Sequence, residues 1–291
     1  MEIETFHDCE VISSRYYNSG LGTYPIISAF DHYTTMSGSI VLAMDCNRYT
    51  PSDVESNLSQ ITRSINAAVK AGCDIICFPE ACITGYNTKD PVTISEDNDC
   101  LKALAEISEE IAIVIGAFEN ADDLFITQFV LNDGRIIGRY RKTHLGMNET
   151  MFEAGNILQT VDIDDVKIGI QLCWEVHFPQ ITSTYRNQDA FLILNPTASG
   201  LPPERRMSLW RKVIPARADD NRIFYAACNS DGSSVICCGP DGSEIQGEII
   251  GDCLVRYELD GSAIDRYRGE EETMRNIDYP KHFRPELYEL K

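Results

Sequence analysis

No stretch of the 291-residue chain approaches the run of roughly 18 apolar residues that a membrane-spanning helix needs. An excess of positive charge is missing too. Lysine and arginine number 25 against 45 aspartates and glutamates, a formal net charge of -20. That balance disfavours a nucleic-acid groove or an anionic membrane surface as partner, and because the acidic surplus forms no tail it reads as solubility. A disulfide framework is also absent. The 11 cysteines are odd in number and irregularly spaced, and the adjacent Cys237 and Cys238 have no CxxC partner. Cys73 and Cys77 have no His or Cys cluster to complete a zinc site, so no metal is expected. The thiols read as buried small hydrophobes in a reducing cytoplasm. Met1–Glu10 is acidic and holds no apolar stretch, unlike a signal peptide. No linker rich in Gly, Pro or Ser divides the chain, which favours one domain.

What is present is an ordinary globular composition, 43% hydrophobic and 24% charged, long enough to bury a core without staples. Residues 1–37 are polar and aromatic with little periodicity and read as an N-terminal extension, followed by a domain over residues 38–291. Ile40–Asp45 reads as a buried strand. Ser52 and Glu55 suit a capping box, and Val54, Leu58, Ile61, Ile65 and Ala68 then recur on one helical face that Gly72 closes. Asp74–Pro79 is a short apolar strand, so this is a strand–helix–strand unit with a crossover suited to parallel strands.

The theme continues. A helix is predicted over Cys100–Glu110 and a strand over Ile111–Phe118. Leu124–Leu131 and Arg135–Lys142 flank Asn132-Asp133-Gly134, a hairpin signal. Val166–Leu172 reads as a strand, Phe178–Asn187 as a helix, and Phe191–Leu194 as a strand ending at Asn195-Pro196. Met207–Asn221 reads as a helix that Pro215 should kink or interrupt. Three strands separated by Asp231-Gly232 and Asp241-Gly242 follow, with another over Cys253–Leu259. Helices alternating with strands, interspersed with hairpins, predict an α/β protein with mixed sheets.

Three residues sit at the C-terminal ends of predicted strands, where α/β sheets build active sites. Cys173 follows Val166–Leu172 on a strand-to-helix turn, a setting that exposes a nucleophile beside backbone N–H groups. Glu80 follows Asp74–Pro79, and burial there raises a carboxyl toward a useful general base. Lys142 closes the hairpin strand, and an ammonium beside a thiol lowers its pKa and can donate to an oxyanion. Each taken alone is ordinary: a buried thiol, a loop carboxylate, a surface cation. Their common placement is not.

The segments that carry these residues resemble the signature blocks of the nitrilase (carbon–nitrogen hydrolase) superfamily. They are Phe78-Pro79-Glu80 with Thr84-Gly85-Tyr86, then Arg141-Lys142-Thr143-His144-Leu145, then Cys173-Trp174-Glu175. Arg217-Ala218 with Asn221, and Arg284-Pro285-Glu286-Leu287-Tyr288, also resemble family features. The resemblance implies a four-layer α-β-β-α sandwich with two mixed β-sheets, associating into a homodimer or higher homo-oligomer. It implies a Glu80–Lys142–Cys173 triad with no metal or cofactor. It also implies a second glutamate orienting the lysine, for which Glu149 is the best match, with Asn148 in the competing register. Trp174 and Glu175 are candidate pocket-lining residues, and His144 and His177 are read as structural or at the pocket edge. The implied activity is hydrolysis of a non-peptide C–N bond in a small amide or carbamoyl compound through a cysteine thioester. The alternatives are a nitrilase acting on nitriles, or a non-catalytic binding protein that keeps the fold.

Overall fold

The computed structural model of the protein describes residues 16–19, 22–25, 38–269, 273, 276–284 and 287. The acidic Met1–Glu10 segment, and Pro285, Glu286 and Tyr288 of the closing motif, lie outside the described residues. The chain divides into two compact units, Met1–Thr35 and Met36–Lys291. In the first, β1 (Tyr16–Ser19) pairs antiparallel with β2 (Gly22–Pro25).

The second unit runs β3 (Ser39–Asp45), α1 (Val54–Lys70), β4 (Ile75–Cys77), α2 (Asp99–Ile107), β5 (Ala112–Asn120), β6 (Leu124–Asn132) and β7 (Arg135–Arg141). It continues with β8 (Val161–Ile163), β9 (Val166–Ile170), α3 (Pro179–Arg186), β10 (Leu192–Thr197), α4 (Pro203–Asn221) and β11 (Phe224–Asn229). It closes with β12 (Val235–Cys238), β13 (Glu248–Gly251), β14 (Leu254–Asp260) and α5 (Gly261–Arg268). Among the described residues these strands form a seven-stranded sheet, β13-β14-β3-β4-β5-β6-β7, and a five-stranded one, β12-β11-β10-β9-β8. Both are mixed. β3, β4 and β5 are parallel neighbours, as are β9, β10 and β11, while the hairpins add antiparallel edges.

Alternation along the strands builds the layers, because successive side chains point to opposite faces. Leu42, Met44, Ile75 and Cys77 of the larger sheet share one core with Leu192, Leu194, Phe224 and Ala226 of the smaller. The intervening Ala43, Ile76 and Ile113 face Ile61, Ile65 and Leu101 of α1 and α2. On the other side Ile193 and Tyr225 face Ile181, Tyr185, Trp210 and Ile214 of α3 and α4. The result is a four-layer α-β-β-α sandwich.

Several local expectations are corrected. The N-cap of α1 is Asp53, whose carboxylate accepts from Ser56 N at 3.1 Å, because Ser52 has φ +64 and lies outside the helix. α4 runs unbroken through Pro215, held by the buried face of Trp210, Ile214 and Ala218, so packing outweighs the missing N–H. β10 does not stop before Asn195-Pro196 but pairs with β11 as far as Thr197. Past Leu194 its register with β9 ends, and proline is tolerated at such an edge. The Asp133-Gly134 turn between β6 and β7 has φ +51 and +74, the two positive angles of a type I′ hairpin.

Candidate active site

Glu80 lies three residues beyond β4, Lys142 directly after β7 and Cys173 three residues beyond β9. The first two strands belong to the larger sheet and the third to the smaller. The residues therefore come from both sheets of the sandwich, and not from the rim of one sheet.

Lys142 is buried and lies between two buried carboxylates. Its Nζ donates to Glu80 Oε1 at 2.7 Å and to Glu149 Oε1 at 2.6 Å. Glu149, and not Asn148, thus occupies the second carboxylate position, where it also accepts from the Tyr86 hydroxyl and the Gly146 N–H. The other oxygen of Glu80 accepts from Ala198 N at 3.1 Å. Backbone contact fixes these side chains. Gly155 N donates to Lys142 O at 2.8 Å, and a Cβ at Gly155 would stand 2.3 Å from the Arg141 carbonyl oxygen. Likewise a Cβ at Gly116 would stand 2.5 Å from Ala81 N, so only glycine lets β5 pass this close to the turn that carries Glu80.

Cys173 opens a single 3-10 turn, Cys173–His177, with φ +55. This left-handed backbone is uncommon for a residue with a Cβ and turns the chain sharply out of β9. Asn195 Nδ2 steadies the turn by donating to Cys173 O at 3.2 Å and Gln171 O at 2.9 Å. The charges of Glu80, Lys142 and Glu149 all act on the thiol. Burial and the negative Glu80 push it up to about 12, and Lys142 only partly opposes them. Lys142 does lower the thiol, as expected, but burial and Glu80 prevail, so the thiol needs a base to give up its proton. Burial raises Glu80 as well, with Glu149 adding to it and Lys142 opposing. Burial lowers Lys142, but the charges of Glu80 and Glu149 outweigh it and hold the ammonium.

Glu175, expected to line the pocket, is instead fully sealed. Its carboxylate accepts from Tyr140 OH at 2.8 Å, Thr143 N at 2.9 Å, His144 N at 2.9 Å and Leu172 N at 2.7 Å. It thereby ties the lysine segment to the cysteine turn. Burial would raise it, but hydrogen bonds from His144, Leu172, Thr143 and Tyr140 prevail and hold it below the usual carboxylate range. Trp174 is partly exposed; its indole N–H donates to His144 O at 2.7 Å, and the ring meets Phe178 edge-on. His144 stacks on Phe178 and its ring nitrogen faces Thr143 and Glu175, a structural setting. Thr197 is buried within β10.

Sequence reasoning passed over Arg206. It lies in the first turns of α4, almost wholly buried, and its charge reaches Cys173 and Glu80. The signal was there: Arg206, Trp210, Ile214 and Ala218 fall four apart on one helical face, so an arginine occupies an apolar stripe.

Among the described residues no helix is long and apolar enough to cross a membrane, and no group of three or more His, Cys, Asp or Glu side chains is placed to hold a metal ion.

The chain is similar to known proteins over most of its length. Nitrilase homolog 2 of Dictyostelium discoideum is 24% identical over 253 residues, 77% of this chain and 76% of its own. The chloroplastic omega-amidase of Arabidopsis thaliana is 24% identical over 277 residues, 84% of this chain and 73% of its own. A mutant amidase from Nesterenkonia sp. AN1, which carries the acetamide moiety of fluoroacetamide covalently on its active-site cysteine, superposes with a TM-score of 0.70 at 21% identity. That match covers 87% of this chain and 96% of the other. The family model described as carbon–nitrogen hydrolase matches residues 41–268, a span that holds Glu80, Lys142, Glu149 and Cys173. The chain belongs to the carbon–nitrogen hydrolase family.

Proposed function

We propose that the protein hydrolyses a small non-peptide amide or carbamoyl compound, with Cys173 as nucleophile, Glu80 as general base and acid, Lys142 as oxyanion donor and Glu149 as the residue that orients Lys142. The observation that carries this is the ammonium of Lys142 gripped by two buried carboxylates, with all three charges acting on the Cys173 thiol.

Glu80 takes the proton from the Cys173 thiol as sulfur attacks the carbonyl carbon. Lys142 and the backbone N–H of Trp174 hold the developing oxyanion. Glu80 then gives its proton to the leaving nitrogen, the C–N bond breaks, and ammonia or an amine departs from a thioester. The same carboxylate next removes a proton from water, whose oxygen attacks the thioester. The C–S bond breaks, the acid leaves, and the proton returns to sulfur. A base held above the ordinary carboxylate range suits both of its duties, since it must accept and release one proton in each half of the cycle.

Amidase relatives support an amide-type substrate over a nitrile. Ten cysteines among the described residues are free thiols, which supports a cytoplasmic location. On the same reading residues 1–37 are an extension to the hydrolase domain at 38–291, and the working unit is a homodimer or higher homo-oligomer. A panel of amides, carbamoyl compounds and nitriles, scored by ammonia release, tests the proposal. Cys173→Ala should abolish turnover while leaving the circular dichroism spectrum unchanged. Normal turnover by that variant would remove the assignment.

A further inference from the structure

Five cationic side chains are buried among the described residues: Lys142, Arg186, Arg206, Arg222 and Arg268. Four have acceptors. Lys142 has Glu80 and Glu149, and Arg186 has Asp278 at 2.9 Å. Arg222 has Asp219 and two carbonyls, and Arg268 has the carbonyls of Arg222 and Ala190. Arg206 stands apart. It is 4% exposed, makes no ion pair among the described residues, and its Nε is sealed from solvent without a partner. The guanidinium carbon sits 5.4 Å from the centre of the Trp210 ring, and the indole N–H of Trp210 is likewise sealed and unpartnered.

A buried charge without a counter-ion is unfavourable and normally acquires one. The location indicates its source. α4 packs against the Cys173–His177 turn, and Arg206 acts electrostatically on Cys173, Glu80 and Asp231. The neighbouring cation, Lys142, has two donors on carboxylates and its third assigned to the oxyanion, so Arg206 is the buried cation near this site whose donors have no other role. Activation of the thiol does not account for it, because the thiol stays high despite Arg206.

Resting on the hydrolase reading, we infer that Arg206 receives a carboxylate carried by the substrate, so that the preferred substrates are anionic amides. A guanidinium offers a flat fork of donors that matches a carboxylate two-to-two, and stacking near Trp210 holds that fork in plane. On a chain with a net charge of -20, one uncompensated buried cation is what would draw an anion into the site against the overall field. The carboxylate can lie on the acyl side, as in a monoamide of a dicarboxylic acid, or on the amine side, as in an N-carbamoyl amino acid.

Succinamate and succinamide differ almost only in charge, so their ratio of kcat/KM isolates the effect, and N-carbamoyl-β-alanine reports the other placement. Wild-type protein should prefer succinamate or N-carbamoyl-β-alanine to succinamide. Arg206→Gln should lower that preference by about 30-fold or more, mainly through KM, with partial recovery in Arg206→Lys. Equal losses on the charged and neutral amides, or no wild-type preference, would overturn the inference. If Arg206→Gln does not fold, the wild-type ratio and Arg206→Lys decide alone. If no compound is turned over, calorimetry on Cys173→Ala separates the two readings. Binding of succinamate or N-carbamoyl-β-alanine that Arg206→Lys weakens keeps the anion receptor and discards the hydrolase, while no binding discards both.

Discussion

Glu80 and Glu175 are both sealed from water, yet their surroundings drive them in opposite directions. Around Glu175 stand the His144 imidazole and N–H and O–H donors from Leu172, Thr143, His144 and Tyr140, which together fix an anion in place. Around Glu80 stand one backbone N–H, one ammonium and, across that ammonium, a competing carboxylate. Burial is common to both. The count of dedicated donors decides whether it yields a fixed brace or a group ready to accept a proton.

The largest effect that tests this contrast is expected at Glu80. Glu80→Gln should lower kcat by about 10³-fold or more, with the fold retained, because glutamine cannot take the thiol proton. A loss under tenfold in steady-state ammonia release would mean that another group serves as base. Glu175→Gln should do less to chemistry and more to the fold. Its amide would turn N–H groups toward N–H donors, costing about 1–3 kcal/mol in urea unfolding and reducing kcat roughly tenfold through misplacement of the cysteine turn. Unaltered stability would show that the brace is dispensable.

The smallest effect is a pH slope with opposite signs. Glu175 is held below its ordinary 4.5, so its contribution to stability is present above 4.5 and lost as pH falls through the lowered value. Glu80 is raised above 4.5, so it opposes folding increasingly as pH rises from there through the raised value. Urea titrations between pH 3 and 7, about the range over which carboxylates ionise, should show a flatter acid limb for Glu175→Gln than for wild type. Glu80→Gln should remove the opposing trend. The same slope in both variants would contradict the contrast.

Much of this was legible in the chain. Periods of two and of three to four placed the sheets and helices, because burial on one face leaves that imprint. Glu80, Lys142 and Cys173 stood out because each follows a predicted strand, although the strands before Glu80 and Cys173 end three residues short of them. Other features were not, for identifiable reasons. Ser52 looks like a cap, but its left-handed backbone is set by the turn from which Ser52 N reaches Thr84 O, a distant residue. Glu175 looks like a pocket residue beside a nucleophile, and only the fold brings Tyr140 and Thr143 to its oxygens. Pro215 reads as a helix breaker until the buried stripe around it is seen.

The backbone at residue 173 has a consequence for how the sequence can change over generations. In the left-handed region any side chain is at a disadvantage of about 1 kcal/mol against glycine. On the proposed reading a glycine here would relieve the backbone and abolish the chemistry, so robustness and turnover pull this position in opposite directions.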